Sequence, residues 1–130
     1  MKFGKSVLVA STVLFVLASS VAFAAEWRKL ASRDVTDKVD HDTVDFGPRQ
    51  GVVNQLKFKV RKNGVHFMKV VVHYRNGGDE KIDMRDNVPA GGESRAINLN
   101  GGTRKIKQIE FWYEANSVGK GGASIDVWGK

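Results

Sequence analysis

Leu56, Phe58 and Val60 alternate with Lys57, Lys59 and Arg61, the most regular two-residue period in the chain. That period predicts a strand with one apolar and one basic face. Val65 to Tyr74 follows after Lys62-Asn63-Gly64, so the two runs read as a hairpin. Its register is a choice between two loops. A two-residue Asn63-Gly64 turn would set Phe58 against Lys69 and bring the lysine to the core face. A three-residue loop with Gly64 left-handed sets Val60 against His66, Phe58 against Met68 and Leu56 against Val70. A slip of one residue flips every side chain, so the apolar face Leu56, Phe58, Val60, Met68, Val70, Val72 and Tyr74 selects the longer loop. The outer face of that hairpin carries Lys57, Lys59, Arg61, Lys69 and His73, with Phe67 and Val71 among them.

The same reading extends along the chain. Trp27 to Val35 is a first strand anchored by Trp27 and Leu30, and the aspartate-rich Asp34 to Asp45 is an acidic edge. Gly47-Pro48-Arg49-Gln50-Gly51 and Arg75-Asn76-Gly77-Gly78-Asp79 are turns. Lys81 to Arg85 is a short strand that Val88-Pro89 ends. Gly91-Gly92 and Gly101-Gly102 punctuate a strand with Ile97 and Leu99 on one face. Arg104 to Glu114 puts Ile109, Phe111 and Tyr113 on one face, with Ile106 out of phase unless a bulge falls near Lys107-Gln108. Asn116 to Gly122 is a polar, glycine-rich loop, and Ile125 and Val127 form a last strand with Trp128 on its other face. About eight strands at short spacing, with no crossover pattern, predict an all-β fold, a single antiparallel β-sandwich, jelly-roll-like or Ig-like.

Ahead of these strands, Lys2 and Lys5 precede the apolar run Val7 to Leu17 and the small-x-small site Ala22-Phe23-Ala24. This is the plan of a secretory signal peptide over residues 1–24, with cleavage between Ala24 and Ala25. It places the domain, residues 25–130, in the periplasm or outside the cell. No second long apolar run follows, so no transmembrane span is expected in the mature chain. There are no cysteines, which excludes a disulfide framework, thiolate chemistry and a lipid-modified cysteine.

The formal charge of +7 includes both leader lysines and leaves +5 on the mature chain. A basic exported domain points to an anionic polymer as partner: glycan, lipopolysaccharide or cell wall, with nucleic acid a weaker choice. The competing reading is a charge that serves solubility. Lys57, Lys59, Arg61, Lys69 and His73 are the binding candidates. Arg95 and Arg104 beside the glycine turns are a second set, because successive turn N–H groups form an anion-binding concavity. The alternative for both is a guanidinium bonded to turn carbonyls or to a carboxylate such as Glu93.

No Gly-x-Ser-x-Gly elbow or His-Glu-x-x-His helix is present, and the chain is read as a non-enzyme without cofactor. Asp40, Asp42 and Asp45 are hard oxygen donors and a weak candidate cation site. His41, His66 and His73 would bind zinc only by meeting in space, and regular alternation puts His66 and His73 on opposite faces. Glu110 and Glu114 share a face with Trp112, a pattern of glycan-active sites in which an aromatic ring stacks on sugar. A scaffold without ligand, or a glycan-active enzyme, are therefore the alternatives to a binding module.

The segment Ala90-Gly91-Gly92-Glu93-Ser94-Arg95-Ala96-Ile97-Asn98-Leu99 continues to Gly101, Arg104, Ile106, Ile109 and Tyr113. With Asp40-x-Asp42-x-Val44, the basic alternating strand, Tyr74-x-Asn76-Gly77 and the closing Val127-x-Gly129, it resembles a set of small exported bacterial proteins of unknown function, the YaaI-like family. The resemblance covers nearly all of the mature chain. It implies one β-sandwich in the periplasm or outside the cell, and no assigned activity.

Overall fold

A computed structural model describes residues 26–35, 39–115 and 121–130. The signal-peptide segment, its cleavage site and most of the loop from Asn116 lie outside the described residues. Among the described residues nine strands follow in order: β1 Arg28–Val35, β2 Val39–Asp45, β3 Val52–Val53, β4 Gln55–Arg61, β5 Val65–Tyr74, β6 Asp79–Val88, β7 Ile97–Asn98, β8 Arg104–Ala115 and β9 Ala123–Gly129. Among the described residues, no helix is long and apolar enough to cross a membrane.

The strands form two antiparallel sheets. Sheet one runs β1-β9-β4-β7 and sheet two β2-β8-β5-β6, with the two-residue β3 continuing the β2 edge of β8. When β3 is set aside and the remaining eight strands are renumbered, the orders are 1-8-3-6 and 2-7-4-5. This is a jelly roll, and of the two expected sandwich topologies it is the one the chain adopts. The core lies between the sheets, filled by Leu56, Phe58 and Val60 of β4, Ile125 and Val127 of β9, and Ile109, Phe111 and Tyr113 of β8.

The predicted hairpin does not form. β4 pairs with β9 and β7, whereas β5 pairs with β8 and β6, so residues 62–64 carry the chain from one sheet to the other. Lys62, at φ 76°, takes the left-handed turn that had been expected of Gly64. Phe58 and Phe67 consequently meet face to face across the core, with ring centroids 5.0 Å apart. Phe67 is core, not surface.

The inward phase of β5 changes at Met68. Val65 and Phe67 point in on one side of it, and Val70, Val72 and Tyr74 on the other. Relative to β8, Phe67 lies opposite Tyr113 and Lys69 opposite Trp112, so Met68 is an extra residue, a bulge. A second bulge, on β8, leaves Lys107 between Gln108 and Ile106, where the phase of the sequence demanded one. The β5–β6 turn forms at Arg75 to Asp79, with Gly77 at φ 95°.

After β6 the chain crosses back to sheet one. The segment from Gly91 is stitched along β4 by bonds from Gly91 N–H to Val60 O (2.8 Å), Val60 N–H to Gly92 O (3.0 Å) and Ser94 N–H to Phe58 O (2.7 Å). The buried Ser94 hydroxyl accepts the Phe58 N–H at 2.9 Å. This stitching sets Glu93 against Lys59, with consequences for the basic face.

Candidate functional site

Because β4 and β5 belong to different sheets, the expected basic face is divided. Lys57, Lys59 and Arg61 lie on the outer face of sheet one, and Lys69 and His73 on the outer face of sheet two, with the core between them. The five residues do not form one surface.

On sheet one, the outer positions of β9 are Ser124, Asp126 and Trp128, opposite Arg61, Lys59 and Lys57 in turn. Arg61 holds Asp126 through two bonds, Nε at 2.8 Å and Nη2 at 3.0 Å, and the Ser32 hydroxyl donates to the same carboxylate at 2.5 Å. Asp126 is 6% exposed, and the Arg61 hydrogen bonds hold its carboxyl below the usual range against the opposing effect of burial. Arg61 is therefore structural, occupied by an internal carboxylate.

Lys57 and Lys59 are placed differently. The Lys57 ammonium lies 4.4 Å from the centre of the Trp27 ring, and that of Lys59 lies 3.9 Å from the centre of Trp128. Lys130 approaches Trp27 from further away, at 5.7 Å. One carboxylate serves both β4 lysines: Glu93 reaches Lys57 at 3.2 Å and Lys59 at 3.9 Å, with half of its side chain in solvent. The result is a strip of two indoles and two ammonium groups with a single exposed carboxylate laid over it. The indole Nε1 of Trp128 is buried and has no hydrogen-bond partner among the described residues.

Sheet two presents a hydrogen-bonded row across all four of its main strands. His41 Nε2 of β2 meets Glu110 Oε2 of β8 at 2.7 Å, the other Glu110 oxygen meets His73 Nε2 of β5, and His73 Nδ1 meets Asp79 of β6 at 2.6 Å. Bonds to Glu110 and then Asp79 raise the His73 pKa, and the bond to His73 lowers that of Glu110. Glu110 is thus an ionised acceptor between two imidazoles, not a poised proton donor. Trp112 stands between His41, stacked at 4.3 Å, and Lys69, 4.1 Å from the ring centre. These two approach from the strands on either side of β8, so the ring already has two packing partners.

The Met68 bulge also changes the histidine geometry. It puts His66, opposite Glu114, on the same outer face as His73, contrary to simple alternation. Even so, no group of three or more His, Cys, Asp or Glu residues is placed to hold a metal ion among the described residues. Asp40, Asp42 and Asp45 do not converge. Asp42 accepts from Arg33 (3.1 Å) and Tyr113 (2.7 Å), while Asp45 accepts from Gln108 at 2.7 Å.

The two turn arginines diverge. Arg95 donates to the carbonyls of Met84 (2.8 Å) and Asp83 (3.2 Å), the carbonyl-bonded alternative, and its backbone N–H (3.2 Å) and guanidinium (3.9 Å) also face the Asp86 carboxylate. Arg104 donates to Asn100 O at 2.7 Å, lies 3.7 Å from the centre of the Tyr74 ring and lines an open cavity. The contributions of Glu93, Trp27 and Asp79 were not read from the sequence. Glu93 was noted only as a neighbour of Arg95, and its lysine contacts depend on how the loop lies along β4.

The family model for DUF2541, a domain of unknown function, matches residues 8–129. The chain belongs to the DUF2541 family. No curated protein matches the sequence significantly. Among solved structures, AlgX from Pseudomonas aeruginosa is similar at 18% identity and a TM-score of 0.45 over 78% of this chain, which spans 26% of the AlgX chain. The SPBc2 prophage-derived protein YomS is similar at 9% identity and a TM-score of 0.40, over 83% of this chain and 97% of its own.

Proposed function

We propose that this DUF2541 protein is an exported, non-catalytic binding module that takes an acidic polymer on the outer face of sheet one. In this reading the leader is removed between Ala24 and Ala25, and the narrower kinship is with the YaaI-like group of exported proteins. One observation carries the binding role: Lys57 and Lys59 lie over Trp27 and Trp128, and both reach one half-exposed carboxylate, Glu93. An acidic group of a ligand can take the place of the half-exposed Glu93 carboxylate; the Lys59 side chain is 35% exposed and that of Lys57 13%, so Lys59 is the more open of the two contacts. The indoles add the aromatic surface on which sugar rings or bases pack. Arg61 stands apart from this strip, because its charge is paired with Asp126.

The test is retention of the mature chain, Ala25 to Lys130, on immobilised lipopolysaccharide, purified cell wall, polygalacturonate and DNA over a salt series. A variant carrying Lys57→Ser and Lys59→Ser runs beside it. Selective, salt-sensitive retention on one polymer, lost in the variant, supports the reading and names the ligand class. Equal weak retention on all four, or a variant that behaves as the parent, refutes it and favours a scaffold role.

A further inference from the structure

At one end of sheet two, the turn after β5 and the start of β8 enclose a cavity of about 230 Å³ lined by Tyr74, Arg75, Asn76, Thr103, Arg104 and Lys105. Three of the six are cations and none is an acid. Arg75, Arg104 and Lys105 also stand outside every ion pair found among the described residues. Arg61, by contrast, is neutralised by Asp126, and Lys57 and Lys59 by Glu93.

The cationic groups are also held in place. The Arg75 N–H donates to Lys105 O at 2.9 Å, which locks the two residues side by side across neighbouring strands. The Arg75 guanidinium is tied to the Phe46 carbonyl, and that of Arg104 to Asn100 O while it stacks on Tyr74. Gly101, at φ 86°, admits this approach, because a Cβ there would lie 3.3 Å from Arg104 Nη1. Glu80, an acid beside this wall, accepts from the Tyr74 hydroxyl (2.5 Å) and the Asn100 N–H (3.0 Å), both on Oε1, and makes no ion pair with Arg104 among the described residues. Each arginine therefore spends part of its donor set on carbonyls and keeps further N–H groups for a ligand. The Thr103 hydroxyl has no partner among the described residues and adds a neutral donor.

We propose that this cavity binds a phosphate group. Two anchored guanidiniums, an ammonium and a hydroxyl on the wall of one small cavity offer more N–H and O–H donors than a single carboxylate can accept, and a phosphate dianion with its additional oxygens and second charge uses them more fully. The volume is below the usual range for a whole drug-sized ligand, about 300–1,000 Å³, so it takes the charged group and not the body of a molecule. Tyr74 also walls a second cavity of about 280 Å³, lined in part by Asp79, Lys107 and Gln108, whose hydrogen-bonding groups suit the hydroxyls of an esterified sugar or polyol. The pocket lies on sheet two and stands or falls independently of the strip on sheet one.

The experiment is a titration of the ¹⁵N-labelled mature chain with inorganic phosphate and with glycerol 3-phosphate, against chloride at matched ionic strength. Amide shifts at Arg75, Thr103, Arg104 and Lys105 should saturate with phosphate and not with chloride. Arg104→Gln should weaken binding by roughly tenfold or more, the scale of a lost charge-assisted bond. Lys105→Gln, an exposed change without bonds to lose, should weaken it by roughly threefold with the fold intact, and Lys57→Ser with Lys59→Ser should leave it unchanged. Tighter binding of glycerol 3-phosphate assigns an esterified phosphate as ligand, and tighter binding of inorganic phosphate assigns the free ion. Shifts that fail to saturate, that chloride reproduces, or that persist at full affinity in both Arg104→Gln and Lys105→Gln overturn the proposal.

Discussion

Phe58 and Phe67 stack with their ring centroids 5.0 Å apart, although they lie on strands of different sheets and only a short connection separates those strands in sequence. Both rings are fully buried, and each also contacts Phe111, at 6.3 and 6.4 Å. This aromatic trio joins the two sheets at their centre. Phe58→Ala should cost about 3–5 kcal/mol in urea unfolding, as other buried Phe truncations do. A loss below 1 kcal/mol would mean that the sheets are not held together at this point.

That contact also shows where sequence reasoning stopped. Alternation in Leu56, Phe58 and Val60 identified the buried face of β4 correctly, since any sandwich buries that face. It carried no information on which strand lies alongside. A hairpin and a crossing between sheets bury the same three residues, and Lys62-Asn63-Gly64 serves either. The Met68 bulge was hidden for a related reason: in Val70-Val71-Val72 every position is apolar, so a change of phase leaves no trace. By contrast, Ile106 and Ile109 lie on a strand with polar residues between them, and their mismatch located the Lys107 bulge in advance.

The site followed the same division. Lys57 and Lys59 were legible because a single strand supplies them, whereas the His41, Glu110, His73 and Asp79 row draws one residue from each of four strands. Local spacing does not encode such a row. The phosphate pocket is intermediate: Arg104 was legible beside its glycine turn, and Arg75 and Lys105 become its neighbours only through strand pairing.

The imidazole row makes stability depend on pH. His73 is raised above its ordinary 6.5, so its contribution is complete below that value and disappears as pH climbs through the higher folded-state pKa. Glu110 is lowered from 4.5, so its contribution is complete above that value and disappears as pH falls through the lower one. Both are present between about pH 4.5 and 6.5. Thermal midpoints should peak in that window and decline on its alkaline side, and His73→Gln should flatten the alkaline decline. Parallel curves for the parent and the variant would show that the row is energetically silent.

Asp126 and Glu93 both pair with cations of β4, yet one is buried and the other half exposed. Asp126→Ala should destabilise the fold by about 1.5–3 kcal/mol, since charge-assisted bonds to Arg61 and Ser32 are lost. Glu93→Ala should cost less than about 1 kcal/mol. It should also raise affinity for an acidic polymer, by removing the carboxylate that covers Lys57 and Lys59. Denaturant titrations and polymer retention measure the two effects separately, and a Glu93→Ala variant with weaker retention would contradict the assignment of its carboxylate as a displaceable cover.

Gly51 and Gly47 bracket the turn that leads into β3. A Cβ on Gly51 would lie 2.4 Å from the Ile106 carbonyl oxygen, the backbone of a fully buried position, whereas a Cβ on Gly47 meets nothing within 4 Å. Gly51→Ala should cost about 1–3 kcal/mol through overpacking against the backbone. Gly47→Ala should be close to neutral. Equal unfolding midpoints for the two variants would mean that β3 does not pack against β8 as closely as described.

The central claim is that Lys57 and Lys59 make an electrostatic binding face with Trp27 and Trp128. Its most direct test is the slope of log Kd against log salt for the polymer that retains the mature chain best, measured for the parent and for the Lys57→Ser, Lys59→Ser variant. Counterion release predicts a linear dependence, and removing two contacting cations should make the slope shallower by roughly one to two units. Equal slopes for the two proteins would contradict the claim, because the lysines would then make no contact with the polymer.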